Sequence, residues 1–297
     1  MNQRTKTHNY PLAISLICLL IVSGLFIYEK MNAMRLTKRL AELDTIVAPY
    51  YDKEVFNPPP FLRYKSTDAK RIKIPIIMYH YVEYVKDTKD IIRKKLSITP
   101  LLFEQHLQAL KDARYETYFV KDVPQILDGT IRYSTQSAIL SFDDGYEDFY
   151  TDVFPLLKKY NMRATLYIIT NYIGKKGFLS EVQIRELIDS DLVEIGSHTQ
   201  DHVYLKVSPK DYADEQIRDS KKILEETFNI KIKTFAYPYG AFNEYALGAV
   251  QQAGYTAAVS VIPGELQSKD NLFFLSRIRP ELFTPESMIR VIEAMNK

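Results

Sequence analysis

The sequence predicts an α/β protein: a (β/α) barrel of seven irregular strands, preceded by an amino-terminal transmembrane helix and a stalk. Three observations lead there. From Ile74 onward, short apolar runs of strand type alternate with amphipathic stretches of helical period. The alternation continues through seven or eight strands, which suits a closed parallel ring better than a doubly wound sheet. Polar clusters recur at the carboxyl ends of those runs, the end at which barrels carry their chemistry.

The elements follow in order. Residues 74–79 read as a buried strand and 100–113 as a helix. A short strand is expected at 115–120, with a helix after it to about Leu127. The strand at 138–142 leads into a helix at 147–160, then a strand at 164–170 and a helix at 180–190. A strand at 192–196, a helix at 209–228, a strand at 234–237 and a helix at 243–253 continue the pattern. Strands at 256–261 and 272–278 and a helix at 285–295 close it, with no internal repeat.

Length divides the 297 residues into an anchor at 1–30, a stalk at 31–70 and one large domain at 71–297. Residues 11–28 form an uncharged apolar run long enough to cross a bilayer as a helix. A cleavable signal peptide is the competing reading, but no A-x-A-like site follows, and Ser15-Leu16-Ile17 before Cys18 makes a poor lipoprotein box. Arg4 and Lys6 precede the run, whereas Lys30, Arg35, Lys38 and Arg39 follow it, so a bare count of cations leaves the large domain inside. Against the count, short basic tails commonly stay inside while the rest is exported, which favours an extracytoplasmic domain. In the stalk, 31–43 has helical spacing and Asn57-Pro58-Pro59-Pro60 enforces an extended stretch. The cations at Lys70, Arg71 and Lys73 read as a solvated linker before a lipid or polymer contact.

A formal charge of +2 gives no support to a nucleic-acid role, and no obligate protein partner is inferred. The single cysteine, Cys18, excludes a disulfide framework or thiolate zinc site within one chain. Tyrosine is abundant at 22 residues and tryptophan absent, a balance that suits carbohydrate faces and ordinary cores alike.

Two segments carry the chemistry: Ser141-Phe142-Asp143-Asp144-Gly145-Tyr146, and Ser197-His198-Thr199-Gln200-Asp201-His202. Each follows a strand-type run, so in one parallel barrel both emerge at the same rim. His198 and His202, four apart, share a face in a turn of helix or a tight loop. Two imidazoles and one carboxylate make a three-ligand set for a divalent ion, leaving the neighbouring carboxylate free as a base. Alone, H-x-x-x-H is usually an exposed helix pair and Asp-Asp-Gly a plain turn; together after two buried strands they indicate a site. A third segment, Phe235-Ala236-Tyr237-Pro238-Tyr239-Gly240, is a sharp turn able to present a backbone N–H to an oxyanion. In a fourth, Tyr79-His80-Tyr81, the imidazole of His80 could act as a general acid. His8 and His106 are given no role.

Together the four segments resemble the polysaccharide deacetylase family, also called the NodB-homology domain or carbohydrate esterase family 4, from about Ile74 to the carboxyl terminus. Pro75-Ile76-Ile77-Met78-Tyr79-His80 is similar to the branch that deacetylates poly-β-1,6-N-acetylglucosamine in biofilm matrices. The resemblance implies that Asp143 is the catalytic base, that Asp144, His198 and His202 bind one divalent metal, and that the Tyr239 N–H, in the turn set by Pro238, holds the oxyanion. In that branch the acid is a histidine near the start of the domain, here His80. The ion expected is zinc, with cobalt, nickel or iron as alternatives. The family's third motif carries an arginine two residues before the proline, where this chain has Ala236. Arg277, a charge in the apolar stretch Leu275-Ser276-Arg277-Ile278-Arg279, is expected to orient the base instead, while Arg279 reads as a surface charge. No Leu-x-His occurs near the carboxyl terminus to supply the late acid, which strengthens His80.

The expected activity is hydrolytic N-deacetylation of an acetylated polysaccharide outside the cell membrane, and this is the main reason to orient the domain outward. Poly-β-1,6-N-acetylglucosamine is placed ahead of peptidoglycan N-acetylglucosamine and, distantly, an acetylxylan-type ester. A tethered, non-catalytic glycan-binding module and a two-metal phosphoesterase are the competing classes.

Overall fold

The ring closes at its ends through one parallel bridge. Met78 N–H donates to the Ile278 carbonyl and Ile278 N–H to that of Ile76, each at 2.8 Å, so Ile77 and Ile278 pair. The computed structural model of the chain describes residues 71–294, apart from 88 and 282. The anchor expected at 1–30 and the stalk at 31–70 lie outside the described residues.

The strands are β1 (Ile72–Lys73), β2 (Ile76–Tyr79), β3 (Tyr81–Val82), β4 (Ser97–Ile98), β5 (Glu116–Tyr118), β6 (Ser137–Phe142), β7 (Ala164–Ile168), β8 (Val193–Ser197), β9 (Thr234–Ala236), β10 (Ala257–Pro263), β11 (Leu266–Gln267) and β12 (Leu275–Arg277). The helices are α1 (Ile91–Leu96), α2 (Pro100–Asp112), α3 (Val123–Asp128), α4 (Phe154–Tyr160), α5 (Glu181–Asp189), α6 (Lys210–Phe228), α7 (Glu244–Gln252) and α8 (Pro285–Ala294). Seven parallel strands run around the ring in the order β2-β6-β7-β8-β9-β10-β12, and β5 pairs with the first half of β6. This is a nearly closed barrel of parallel strands with helices, consistent with the predicted (β/α) architecture.

Local sequence explains the elements. All six residues of β6 are buried, as a strand covered on both faces requires. Thr99, Ser180 and Asn243 cap α2, α5 and α7 by accepting from Leu102, Gln183 and Ala246 N–H. Asn161 and Asn229 end α4 and α6 in the left-handed conformation. The helix expected at 147–160 is the main departure. It opens as a π turn over Phe149–Val153, and α4 begins only at Phe154. Pro155 has no N–H for the ordinary ladder, and the preceding turn widens. The short strands β1, β3, β4 and β11 and the helix α1 add to the expected elements, because segments of two to six residues carry no period to read.

Alternation along each strand sorts side chains into two cores. Ile77, Leu140, Phe142 and Leu166 pack outward with the helices, whereas Ile76, Ile139, Tyr167, Ala236, Val259 and Leu275 form a second cluster with Val120, Val123 and Ile126. Glu194 is buried at an inner position of β8. It accepts from the hydroxyls of Thr165 and Thr234 at 2.7 and 2.8 Å and from Lys121 N–H at 3.1 Å. Burial raises its pKa, and those donors oppose the rise. Gly196 pairs with Tyr167 across the β7–β8 ladder, and a Cβ there would stand 2.5 Å from the tyrosine ring.

Gly196→Ala is therefore expected to overpack the ring interior and destabilise the fold by about 1–3 kcal/mol. Denaturant unfolding checks this, with Gly248→Ala as the control, since a Cβ at Gly248 meets nothing within 4 Å.

Candidate active site

The four motif segments singled out in the sequence, and Arg277, lie at the carboxyl rim of the ring. Asp143 and Asp144 follow β6, His198 follows β8, Pro238 and Tyr239 follow β9, Arg277 ends β12, and His80 separates β2 from β3. Asp144 has φ +78 and Gly145 φ +76, so the chain leaves β6 through a left-handed turn that glycine tolerates without strain. That turn lets two consecutive carboxylates serve different neighbours.

Asp143 meets Arg277. Nη1 and Nη2 of the guanidinium each donate at 2.8 Å, one to each carboxylate oxygen. Arg277 is 1% exposed and also donates from Nε to the Ser260 carbonyl at 2.7 Å and from Nη1 to Ser141 Oγ at 3.4 Å. Ser141 in turn donates to the Ile77 carbonyl. Burial works to raise the Asp143 pKa, but the guanidinium outweighs it, with help from His198 and His80, and holds the carboxyl below its usual range.

Asp144 meets the two other imidazoles. Its Oδ1 lies 3.3 Å from Nε2 of both His198 and His202, and the three ligand atoms lie within 4.8 Å of one another. The histidines occupy a tight loop in which Thr199 and His202 have positive φ, and His202 N–H donates to Thr199 Oγ1. The Nδ1–H of His198 donates to the Ala236 carbonyl at 2.8 Å, which fixes the tautomer and turns the Nε2 lone pair toward Asp144. Burial pushes the His202 pKa down to about 4, so its ring is neutral at pH 7. Burial opposes ionisation of Asp144, yet the surrounding imidazoles, His198 first, hold its pKa far below normal.

These residues fit a divalent cation. Asp144 Oδ1 is buried and accepts no hydrogen bond among the described residues, an orphan acceptor facing two imidazole nitrogens. One carboxylate and two imidazoles are a donor set for zinc and its neighbours.

His80 Nε2 lies 3.9 Å from Asp143 Oδ2, and its buried Nδ1 takes no partner among the described residues. Burial lowers its pKa, while Asp143 and Asp144 oppose the shift. Tyr239 is 57% exposed with φ +58, and its ring lies 4.4 Å from that of His202. In its turn, Gly240 N–H donates to Tyr237 and Ala241 N–H to Pro238. Arg279 is half-buried and lies 3.8 Å from Glu281.

Sequence reasoning missed the supports. Ser141 gives no signal beyond its place in the motif, and the carbonyls of Ala236 and Ser260 have no side-chain signature. Asp148 is another. Its Oδ2 accepts Val82 N–H and so ties the segment after His80 to the segment after Asp144. His106 is buried, with Nδ1 at 3.2 Å from Tyr79 Oη and Nε2 at 3.1 Å from the Phe283 carbonyl.

A rim with an acid-and-imidazole triad beside a separately held carboxylate suits hydrolytic chemistry, and comparison with known proteins gives the family. The polysaccharide deacetylase family model matches residues 131–258. YxkH of Bacillus subtilis (strain 168), whose name assigns it only provisionally to the polysaccharide deacetylases, is 33% identical over 210 residues, covering 71% of this chain and 72% of YxkH. The poly-β-1,6-N-acetyl-D-glucosamine N-deacetylase of Staphylococcus aureus (strain MRSA252) is 28% identical over 247 residues, covering 75% of this chain and 82% of that protein. Among solved structures, the deacetylase PplD of Streptococcus pyogenes in complex with acetate superposes with a TM-score of 0.70 at 30% identity, covering 75% of this chain and all (100%) of PplD. The chain belongs to the polysaccharide deacetylase family and is a hydrolytic deacetylase.

Replacing Arg277 by methionine leaves Asp143 buried without its partner, and a loss of about 3–5 kcal/mol is expected near neutral pH. The carboxyl's folded pKa is depressed, so the ion pair's contribution is present above the unfolded value and lost as pH falls through the folded one. The stability gap between wild type and Arg277→Met should thus narrow on acidification below about pH 4. Urea titrations across that range measure it; a gap independent of pH would contradict the assignment of the pair.

Proposed function

We propose that the chain removes N-acetyl groups from N-acetylglucosamine units of an extracellular polysaccharide, poly-β-1,6-N-acetylglucosamine first. One observation carries the reaction: two consecutive buried aspartates are separated in task, one facing Arg277 and the other facing His198 and His202. The polymer is supported by the likeness to the staphylococcal N-deacetylase and by the position of His80 after the first ring strand. The catalytic domain is taken as 71–297, tethered by the amino-terminal segment on the outer side of the membrane.

Asp144, His198 and His202 would hold one divalent ion, zinc first. When bound, the ion supplies Lewis acidity that polarises the acetamide carbonyl and acidifies water. The remaining work falls to the chain's own groups. Asp143, kept ionised and oriented by Arg277, takes a proton from the attacking water. The Tyr239 N–H donates to the oxyanion that forms as water adds to the carbonyl. His80, facing Asp143, gives a proton to the amine as the carbon–nitrogen bond breaks. The products are acetate and a glucosamine unit.

Acetate release from β-1,6-linked N-acetylglucosamine oligomers tests the proposal. Asp143→Asn and His198→Ala are each expected to lower kcat/KM by about 10²–10⁴-fold. Metal analysis should give one ion per wild-type chain and a lower content in His198→Ala. Wild-type rates in both variants would refute the mechanism. Release from peptidoglycan fragments but not from the β-1,6 oligomers would keep the reaction and change the polymer.

A further inference from the structure

The helix α6 carries two polar residues where its spacing calls for apolar ones. Its buried face runs Ala213, Gln216, Ile217, Ser220, Leu224 and Phe228, and Gln216 is 1% exposed. An amide so placed costs stability unless its donors and acceptor are satisfied. Gln216 spends them on the loop that carries His198 and His202. Its Oε1 accepts from Gln200 N–H at 3.0 Å and from Asp201 N–H at 2.9 Å, and its Nε2 donates to Asp201 Oδ2 at 2.8 Å. One turn further along α6, Ser220 Oγ lies 2.8 Å from Ser197 Oγ at the end of β8.

The segment after β7 also grips this loop. Asn171 Nδ2 donates to Asp201 Oδ1 at 2.7 Å, Asn171 N–H to the Gln200 carbonyl at 3.0 Å, and Thr170 N–H to the Thr199 carbonyl at 3.2 Å. So much bonding matters because Thr199 and His202 both hold left-handed backbone, with φ +66 and +57. A β-branched threonine in particular disfavours that region, and such a conformation persists only where its surroundings over-determine it. The two histidines are aimed by different means. His198 has its own bond to the Ala236 carbonyl, whereas no hydrogen bond holds the second ring nitrogen of His202 among the described residues. The aim of His202 rests on its backbone and on packing against the Tyr239 ring.

We infer that Gln216 is a positioning residue for the cation site, fixing the backbone up to His202 so that its ring already faces Asp144 before an ion arrives. The inference rests on the reading that Asp144, His198 and His202 hold a divalent ion. Without the amide, two N–H groups of the loop lose their acceptor and the left-handed residues relax toward ordinary conformations. One of the three ligands must then be ordered at the moment of binding, and that ordering cost is read as lost affinity. Asp143 and Arg277 stand on other strands and keep their own pairing, so the deficit falls on the ion and not on the base.

Full-length protein stripped of metal by a chelator is titrated with zinc against a chromophoric competitor. The wild type should take one zinc per chain. Gln216→Met, similar in length but without hydrogen-bonding groups, should bind zinc about tenfold more weakly, the low end for an outer-sphere partner because Gln216 acts through backbone. Leu224→Ala, which empties a core position of the same helix, should lose stability yet keep the wild-type zinc affinity. Should Gln216→Met not fold, Gln216→Glu takes its place: the carboxylate still accepts from both N–H groups but opposes Asp201. Adding Asp201→Asn to that variant restores each donor and acceptor at unchanged net charge, and affinity should return toward the wild type's. Equal affinity in the wild type and a folded single variant would overturn the inference. So would equal losses in Leu224→Ala and Gln216→Met, or no recovery in the swapped pair. A wild type that takes no zinc would overturn the cation reading itself, and the inference with it.

Discussion

The bidentate pair between Asp143 and Arg277 is the constraint on which the rest of the site depends. Two adjacent carboxylates are buried at the end of one strand, and without compensation they would disfavour each other's ionisation. The left-handed turn at Asp144 and Gly145 sends the side chains apart, and each finds its own cationic or protonatable partner. Asp143 is held ionised by a guanidinium that is itself fixed by bonds to the Ser260 carbonyl and Ser141 Oγ. Asp144 is left with a bare oxygen toward two imidazoles. One acid is thereby clamped by a guanidinium while the other faces two imidazole nitrogens.

The ring makes this possible because it gathers segments far apart in sequence. His198 depends on the strand beside its own: the Ala236 carbonyl at the end of β9 fixes its tautomer. Inside the ring, large and small residues alternate across neighbouring strands, as Tyr167 over Gly196 does. The buried carboxyl of Glu194 is held by two threonine hydroxyls and a backbone N–H, so the polar interior below the site is satisfied from within.

Much of the architecture was legible because buried parallel strands and amphipathic helices write strong patterns. The strands at β6, β7, β8 and β9 and the helices α2, α5, α6 and α7 fall close to where periodicity put them. The π turn before α4 was not legible, since its signal is a single proline inside an otherwise helical stretch. That one of the paired aspartates would meet His198 and His202 could be read from motif spacing after strands, the choice of Asp144 came from the family resemblance, and an arginine in an apolar strand pointed to a partner. What spacing could not give was the backbone: the carbonyls that aim His198 and Arg277 belong to residues whose side chains say nothing.

The seam at Ile77 and Ile278 has a consequence for how the domain can be divided. The stretch recognised by the family model, 131–258, holds both aspartates, both motif histidines and Tyr239. It omits β2 and β12, the strands that meet at the seam and bring His80 and Arg277 to the rim. A piece trimmed to those limits would be an open sheet that keeps Asp144 and its two imidazoles but leaves the proposed base unsteered and the proposed proton donor missing. The signature motifs and the working enzyme are therefore different lengths of chain.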